Sequence, residues 1–137
     1  MKWSIVLGFS LAVAAFGAGG SNHDAAPRTQ RLRPPASLAC SRDHLTAFQG
    51  GVLDYKRGKL DIALRVRTDE DTTESFTLKW SASEKPETWL LLRGERFKPE
   101  DWKKVESAAG KLLAGTRVIV WVCDDKSKPV IDWQPKG

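Results

Sequence analysis

The stretch KLDIALRVRT, residues 59–68, decides the fold class, because apolar and polar side chains alternate in it without a break. One side of an extended chain would carry the apolar side chains of Leu60, Ile62, Leu64 and Val66. The other side would carry Asp61, Ala63, Arg65 and Arg67. A period of two is typical of a strand with one face in the core and one face in water. The sequence therefore predicts a mainly β protein built outward from this strand.

The segments next to this strand predict a hairpin and a bent first strand. TESFTLKW, residues 73–80, alternates in the same way, so the acidic residues 69–71 fall at the tip between two strands. A first strand is predicted over 44–59, before the alternating stretch. It contains the pair Gly50-Gly51, and paired glycines inside a strand are typical of a bulge or a sharp bend.

The C-terminal half predicts a short strand, a helix and two further strands. The strands are expected over 88–94, 116–123 and 130–133, the second of them apolar on both faces and therefore covered on both. The helix is expected to begin at Pro99, with an acidic first turn, and to end near Gly110.

Without the short strand at 88–94, the sequence predicts five principal strands, with one helix between the third and the fourth. This is the order of an OB-fold barrel. On that order, and on a first strand of the form G-x-V/L-x-x-Y around GVLDY (51–55), residues 45–134 resemble small bacterial periplasmic OB-fold proteins. The resemblance implies a small five-stranded OB-like barrel. The chain departs from plain members of that family by its two cysteines, its tryptophan-rich strands and its long linker.

The N-terminal part predicts export. Residues 1–20 combine one early lysine, an apolar run and small residues, the pattern of a signal peptide, with an uncleaved N-terminal anchor as the alternative. Residues 21–39 are rich in proline and arginine and predict a linker, so the barrel domain is expected over 40–137. The predicted location is periplasmic or secreted, with no membrane span after signal cleavage.

The two cysteines, Cys40 and Cys123, are expected to form a disulfide, because thiols pair in an oxidising compartment. In an OB-like barrel this disulfide would join the start of the first strand to the end of the fourth, which are neighbours.

The net charge of +5 does not point to nucleic acid. Residues 40–137 contain 18 lysines and arginines against 16 acidic residues, so the predicted domain is nearly balanced. A nucleic-acid binder concentrates positive charge on its folded domain. Nucleic acid is therefore not an expected partner.

The sequence predicts no enzyme, no metal site and no cofactor. The acidic stretch Asp69–Glu74 fails as an EF-hand loop, because Glu74 stands where the motif needs glycine and Trp80 where it needs glutamate. A solvated hairpin tip is the preferred interpretation, and a looser Ca²⁺ site is the alternative. His44 is the only histidine of the predicted domain, and no nucleophile or zinc motif accompanies it.

A binding face is predicted on strands two and three, where OB barrels bind their ligands. It comprises Arg65, Arg67, Thr77 and Lys79, with Tyr55 and Arg57 beside them. Lys126 and Lys128 in the loop after strand four and a partly exposed Trp133 complete the candidate residues.

These observations predict a monomeric, exported, non-enzymatic binding module of the bacterial envelope that contacts a protein or a glycan. The alternative is an inhibitor or immunity-type protein that caps an envelope enzyme, with the loop Asp124–Lys128 as the plug.

Overall fold

The computed structural model describes Pro34, Pro35, Leu38 and residues 40–136. The predicted export segment and most of the predicted linker lie outside the described residues. The described part contains these strands: β1 (Leu45–Arg57), β2 (Asp61–Thr68), β3 (Thr73–Lys79), β4 (Leu90–Leu92), β5 (Glu95–Arg96), β6 (Glu106–Ala108), β7 (Lys111–Leu112), β8 (Arg117–Cys123) and β9 (Val130–Gln134). One short helix, α1 (Trp102–Val105), follows a 3₁₀ turn at Pro99–Asp101.

The protein is mainly β, as predicted, but its main sheet is open. Seven strands form it in the order β3-β2-β1-β8-β9-β4-β5, and β6 and β7 form a separate hairpin. Closing the five long strands into a barrel would require β3 to pair with β9. The free side of β9 is instead occupied by β4, which runs parallel to it from Leu90 opposite Ile131 to Leu92 opposite Trp133. The predicted five-stranded barrel is therefore wrong.

The first strand contains an irregularity, as predicted, but its bulge lies just after the paired glycines. A Cβ on Gly50 would lie 2.0 Å from the carbonyl oxygen of Arg67, so glycine allows β1 to approach β2 closely. The register between β1 and β2 shifts between Val52 and Asp54. Leu53, between them, is exposed, as expected for the extra residue of a β-bulge.

The predicted helix is shorter than its sequence pattern. It begins at Pro99 as a 3₁₀ turn, where the Asp101 carboxylate accepts a hydrogen bond from the backbone N–H of Lys98 at 2.8 Å. The α-helical part ends at Val105, and the chain turns into the β6–β7 hairpin. Gly110 has a φ of +78° and serves the tip of this hairpin instead of ending a helix. The helix ends early because a tertiary contact takes over: residues of β1 hold the Glu106 side chain by hydrogen bonds.

The core lies on one side of the sheet and contains the apolar residues of the alternating strands. Of the predicted inward residues, Ile62, Leu64 and Val66 are buried, as is Leu78 in β3, but Leu60 is exposed because it precedes the first residue of β2. Strand β8 is buried on both faces, which confirms its expected double cover. Trp133 is fully buried, so the prediction of its partial exposure is wrong. Its strand β9 lies inside the sheet, and its indole packs edge-on against the Tyr55 ring at 5.6 Å between centroids.

The predicted disulfide Cys40–Cys123 is present. It joins the segment before β1 to the end of β8. Strands β1 and β8 are antiparallel neighbours, and Leu45 of β1 faces Cys123 of β8. Among the described residues, no helix has the length and apolarity needed to cross a membrane.

Candidate binding face

The exposed side of β1, β2 and β3, opposite the core, carries two rows of polar side chains. Strand register places Lys56 opposite Ala63 and Ala63 opposite Thr77. In the next row, Asp54 faces Arg65 and Arg65 faces Ser75. We call this surface the outer face and define it by those six residues together with Arg67 and Lys79. The predicted residues Arg65, Arg67, Thr77 and Lys79 all fall on it.

A shallow groove of about 290 Å³ runs across the outer face. Its lining includes Asp54, Lys56, Ala63, Arg65, Ser75 and Thr77. Ala63 has the smallest side chain of the two rows, so a depression forms where the longer side chains of Lys56 and Arg65 stand around it. The groove therefore offers ammonium, guanidinium and hydroxyl donors around a small apolar floor.

Ion pairs within the face hold its two arginines in place. Arg65 Nη2 lies 2.5 Å from Asp54 Oδ2, and Arg67 Nη2 lies 2.5 Å from Asp71 Oδ1. All four side chains are at least half exposed, so these pairs orient the arginines without adding much stability. Within residues 40–136, no ion pair engages Lys56 or Lys79. These two lysines are therefore the positive charges of the outer face for which the described part of the chain supplies no carboxylate partner.

Tyr55 and Arg57 lie on the opposite side of the sheet from the predicted face. In the ladder, Tyr55 pairs with Leu64 and Arg57 with Ile62, both of which belong to the core. Their side chains meet Glu106, which accepts a hydrogen bond from the Tyr55 hydroxyl at 2.6 Å. Arg57 donates two more hydrogen bonds to the same carboxylate, and its guanidinium stacks 4.3 Å from the centre of the Trp102 ring.

This network shifts the pKa values of its members in opposite directions. Burial alone would raise the pKa of Glu106, but hydrogen bonds from Arg57, Tyr55 and the backbone of Gly110 outweigh it and hold the pKa below its ordinary value. Burial, together with the neighbouring Glu106 carboxylate, raises the pKa of the Tyr55 hydroxyl. Glu106 is therefore a charged carboxylate held inside the fold by its partners, an arrangement that braces β6 against β1.

The two candidate lysines of the loop after β8 have different surroundings. Lys128 Nζ donates a hydrogen bond to Glu84 at 3.0 Å and lies 4.4 Å from the centre of the Trp89 ring. Lys126 is exposed and has a φ of +64°. The structure brings neither lysine to the outer face groove.

The acidic tip is an exposed hairpin turn in which two of the four carboxylates, those of Asp69 and Asp71, pair with arginines. Asp69 accepts two hydrogen bonds from Arg117, at 2.7 and 2.6 Å, and Asp71 pairs with Arg67. Among the described residues, no group of three or more histidine, cysteine or acidic side chains is placed to hold a metal ion. Arg67 and Arg117 thus compensate the charges of the two aspartates. Sequence spacing alone does not reveal the second of these pairs, because Arg117 lies 48 residues from Asp69.

His44 and Asp124 form a second polar pair beside the disulfide. His44 Nδ1 lies 3.2 Å from Asp124 Oδ2, and the side chains are 65% and 63% exposed. A catalytic histidine is normally oriented by a partner in a shielded site. The His44–Asp124 pair is instead open to solvent. The nearby Ser41 accepts a hydrogen bond from the backbone N–H of His44 through its backbone oxygen, not through its hydroxyl.

A larger groove, of about 550 Å³, lies at the other end of the sheet. Leu90, Leu91 and Phe97 give it an apolar wall, and Lys85 and Arg96 line it as well. Sequence reasoning missed this groove, because its residues come from β4, β5 and the loops around them and show no common period.

Comparison of the chain with protein-family models, with curated proteins and with solved structures finds no match. The candidate site must therefore be interpreted from its own geometry.

Proposed function

We propose that the chain is an exported, non-enzymatic binding module of the bacterial envelope that contacts a partner protein through the outer face. The observation that carries this proposal is the outer face groove, in which Lys56, Arg65 and two hydroxyls surround the small Ala63. Positive and hydroxyl donors on a paired sheet suit a partner surface that presents carboxylates and carbonyl oxygens.

Rigidity favours recognition through this face. Strand β2 lies between β1 and β3 and pairs with β1 over Ile62–Thr68 and with β3 over Asp61–Arg67. The arginines are already oriented by Asp54 and Asp71, so less side-chain freedom is lost when a partner binds. The disulfide supports the export part of the proposal, since such bonds persist in oxidising compartments.

A protein partner fits the face better than a glycan. Sugar rings are recognised by aromatic side chains that lie flat at the surface. In this part of the sheet, Tyr55 and Phe76 pair with the core residue Leu64 and so point to the inner side. The two polar rows instead resemble the polar rim of a protein interface, where charge complementarity sets specificity.

The experiment is a capture from envelope extract with three versions of the oxidised protein. These are the wild type, Lys56→Glu/Arg65→Glu, and the control Lys103→Glu/Lys111→Glu, which makes the same charge change at exposed positions elsewhere. We expect one stoichiometric protein that the wild type and the control retain and the groove variant loses. Equal capture by all three would refute the outer face. Retention of an acidic glycan in place of a protein would assign the face to polysaccharide.

A further inference from the structure

Strand β3 forms one end of the main sheet and leaves a long backbone edge unpaired. Among the described residues it pairs with β2 alone, over seven residues from Thr73 to Lys79. The opposite end of the sheet is β5, which has only two residues. The β3 edge is therefore the longer of the two open edges of this sheet.

Hydrogen bonds at both ends of β3 identify the backbone groups that point outward. Thr68 N donates to Thr72 O at 2.8 Å, and Trp80 N donates to Leu60 O at 3.1 Å. In an antiparallel ladder, hydrogen-bonded residue pairs alternate with pairs that are not hydrogen-bonded. Between these two ends of β3, the residues whose backbone groups bond to β2 are therefore Glu74, Phe76 and Leu78. The N–H and C=O groups of Thr73, Ser75, Thr77 and Lys79 consequently point away from the sheet.

The central part of this edge, Ser75–Leu78, lacks the usual protection against strand pairing. Native edges carry prolines, bulges or central charges that prevent another strand from adding. The register of β2 with β3 is regular throughout, and Ser75–Leu78 contains neither proline nor charge. Within the described residues, the outward N–H and C=O groups of Ser75 and Thr77 neither donate nor accept a hydrogen bond.

The two ends of the edge carry opposite charges. Glu70 and Glu74 lie at the hairpin tip, and Lys59 and Lys79 lie at the other end of β3. In residues 40–136, none of these four side chains takes part in an ion pair. If a second strand with the same charge distribution ran antiparallel along this edge, its lysine end would lie beside the acidic end of β3, and its acidic end beside the lysine end.

We propose that β3 pairs antiparallel with β3 of a second copy of the chain, about a two-fold axis at Phe76. In this register Ser75 faces the partner's Thr77, and Thr73 faces the partner's Lys79. All four outward residues of each strand then enter bonded pairs, and the two Phe76 rings meet across the axis. The acidic tip of each copy lies beside the lysine end of the other. This pairing stands independently of the proposed function and departs from the expected monomer.

The pairing also places the two outer faces side by side on one continuous sheet. Ser75 and Thr77 line both the groove and the edge, so the groove of each copy would border the two-fold axis. A partner protein would meet two identical grooves on one surface.

The test is a charge-swap measurement of self-association by sedimentation equilibrium, with the protein as isolated from the cell. We expect the average mass of the wild type to rise toward twice the chain mass with concentration. Ser75→Lys/Thr77→Lys sets lysines opposite lysines, and Ser75→Glu/Thr77→Glu sets glutamates opposite glutamates, so each should self-associate more weakly by roughly tenfold or more. An equimolar mixture of the two should regain the dimer, because each lysine then faces a glutamate.

Ala108→Lys/Ala109→Lys is the matched control, since it adds the same charge at exposed positions of the β6–β7 hairpin. It should associate like the wild type, and denaturation curves would verify that every variant folds. A wild type that remains a monomer at all concentrations would overturn the proposal. A dimer that both charged variants keep would overturn it as well, because another surface would then hold the copies together.

Discussion

The guanidinium of Arg57 donates two hydrogen bonds to the carboxylate of Glu106, from Nε to Oε2 at 2.8 Å and from Nη2 to Oε1 at 2.6 Å. The residues are 49 positions apart, and the Glu106 side chain is only 4% exposed. A carboxylate at this depth is stable only while its partners compensate the lost hydration. The pair therefore fixes the place where α1 ends and the β6–β7 hairpin begins.

Replacement of Glu106 by glutamine should lower the free energy of unfolding by about 2 to 3 kcal/mol, because it leaves the Arg57 guanidinium partly buried without a counter-charge. Urea denaturation at neutral pH measures this loss. The control is Glu100→Gln at an exposed position two residues before α1, which should change stability by no more than about 0.5 kcal/mol. Equal losses in both variants would contradict the bracing role of the pair.

The same pair predicts the direction of a pH dependence. The folded state holds the pKa of Glu106 below its ordinary value of 4.5, so the stabilisation is complete above that value and is lost as the pH falls through the folded pKa. The stability difference between the wild type and Glu106→Gln should therefore shrink as the pH falls from about 6 to about 3. Unfolding free energies measured across this range test the sign, and a difference that grew in acid would show that the pKa shift has the other direction.

Two adjacent glycines of β1 provide a matched test of strand packing. A Cβ on Gly50 would meet the backbone of Arg67 at 2.0 Å, whereas a Cβ on Gly51 would enter open space. Gly50→Ala should thus destabilise the protein by about 1 to 3 kcal/mol, and Gly51→Ala should be close to neutral. Thermal or urea unfolding of both variants measures the contrast. The close approach of β1 to β2 would be in doubt if the two variants behaved alike.

The alternation of apolar and polar residues was sufficient to predict β2, β3 and the doubly buried β8, since strand faces follow from local sequence. Local sequence did not predict that the sheet stays open, because the three-residue β4 takes the place beside β9. The helix pattern after Pro99 was similarly overridden at Glu106, whose partners Tyr55 and Arg57 are about fifty positions away. Of the candidate site, the exposed side of β2 and β3 followed from the period of two. The positions of Tyr55 and Trp133 depend on contacts across the fold.

Loss of the disulfide should lower the free energy of unfolding, because the bond closes a long loop. Cys40 and Cys123 are 83 positions apart, and a loop of this length corresponds to about 4.5 kcal/mol in the chain-entropy model. Cys40→Ser/Cys123→Ser should accordingly unfold at a much lower urea concentration than the oxidised wild type. The reduced wild type serves as control and should match the double variant. A midpoint unchanged by reduction would contradict this contribution.

The most direct measurement of the central claim is photo-crosslinking in living cells from the floor of the outer face groove. A photoreactive amino acid would replace Ala63, and a second version would carry it at the exposed Ala108 on the β6–β7 hairpin. The account predicts one adduct with a different protein from position 63, absent from position 108 and lost when Lys56→Glu/Arg65→Glu is added. No adduct at position 63, or the same adducts from both positions, would contradict the assignment of the outer face as the binding surface.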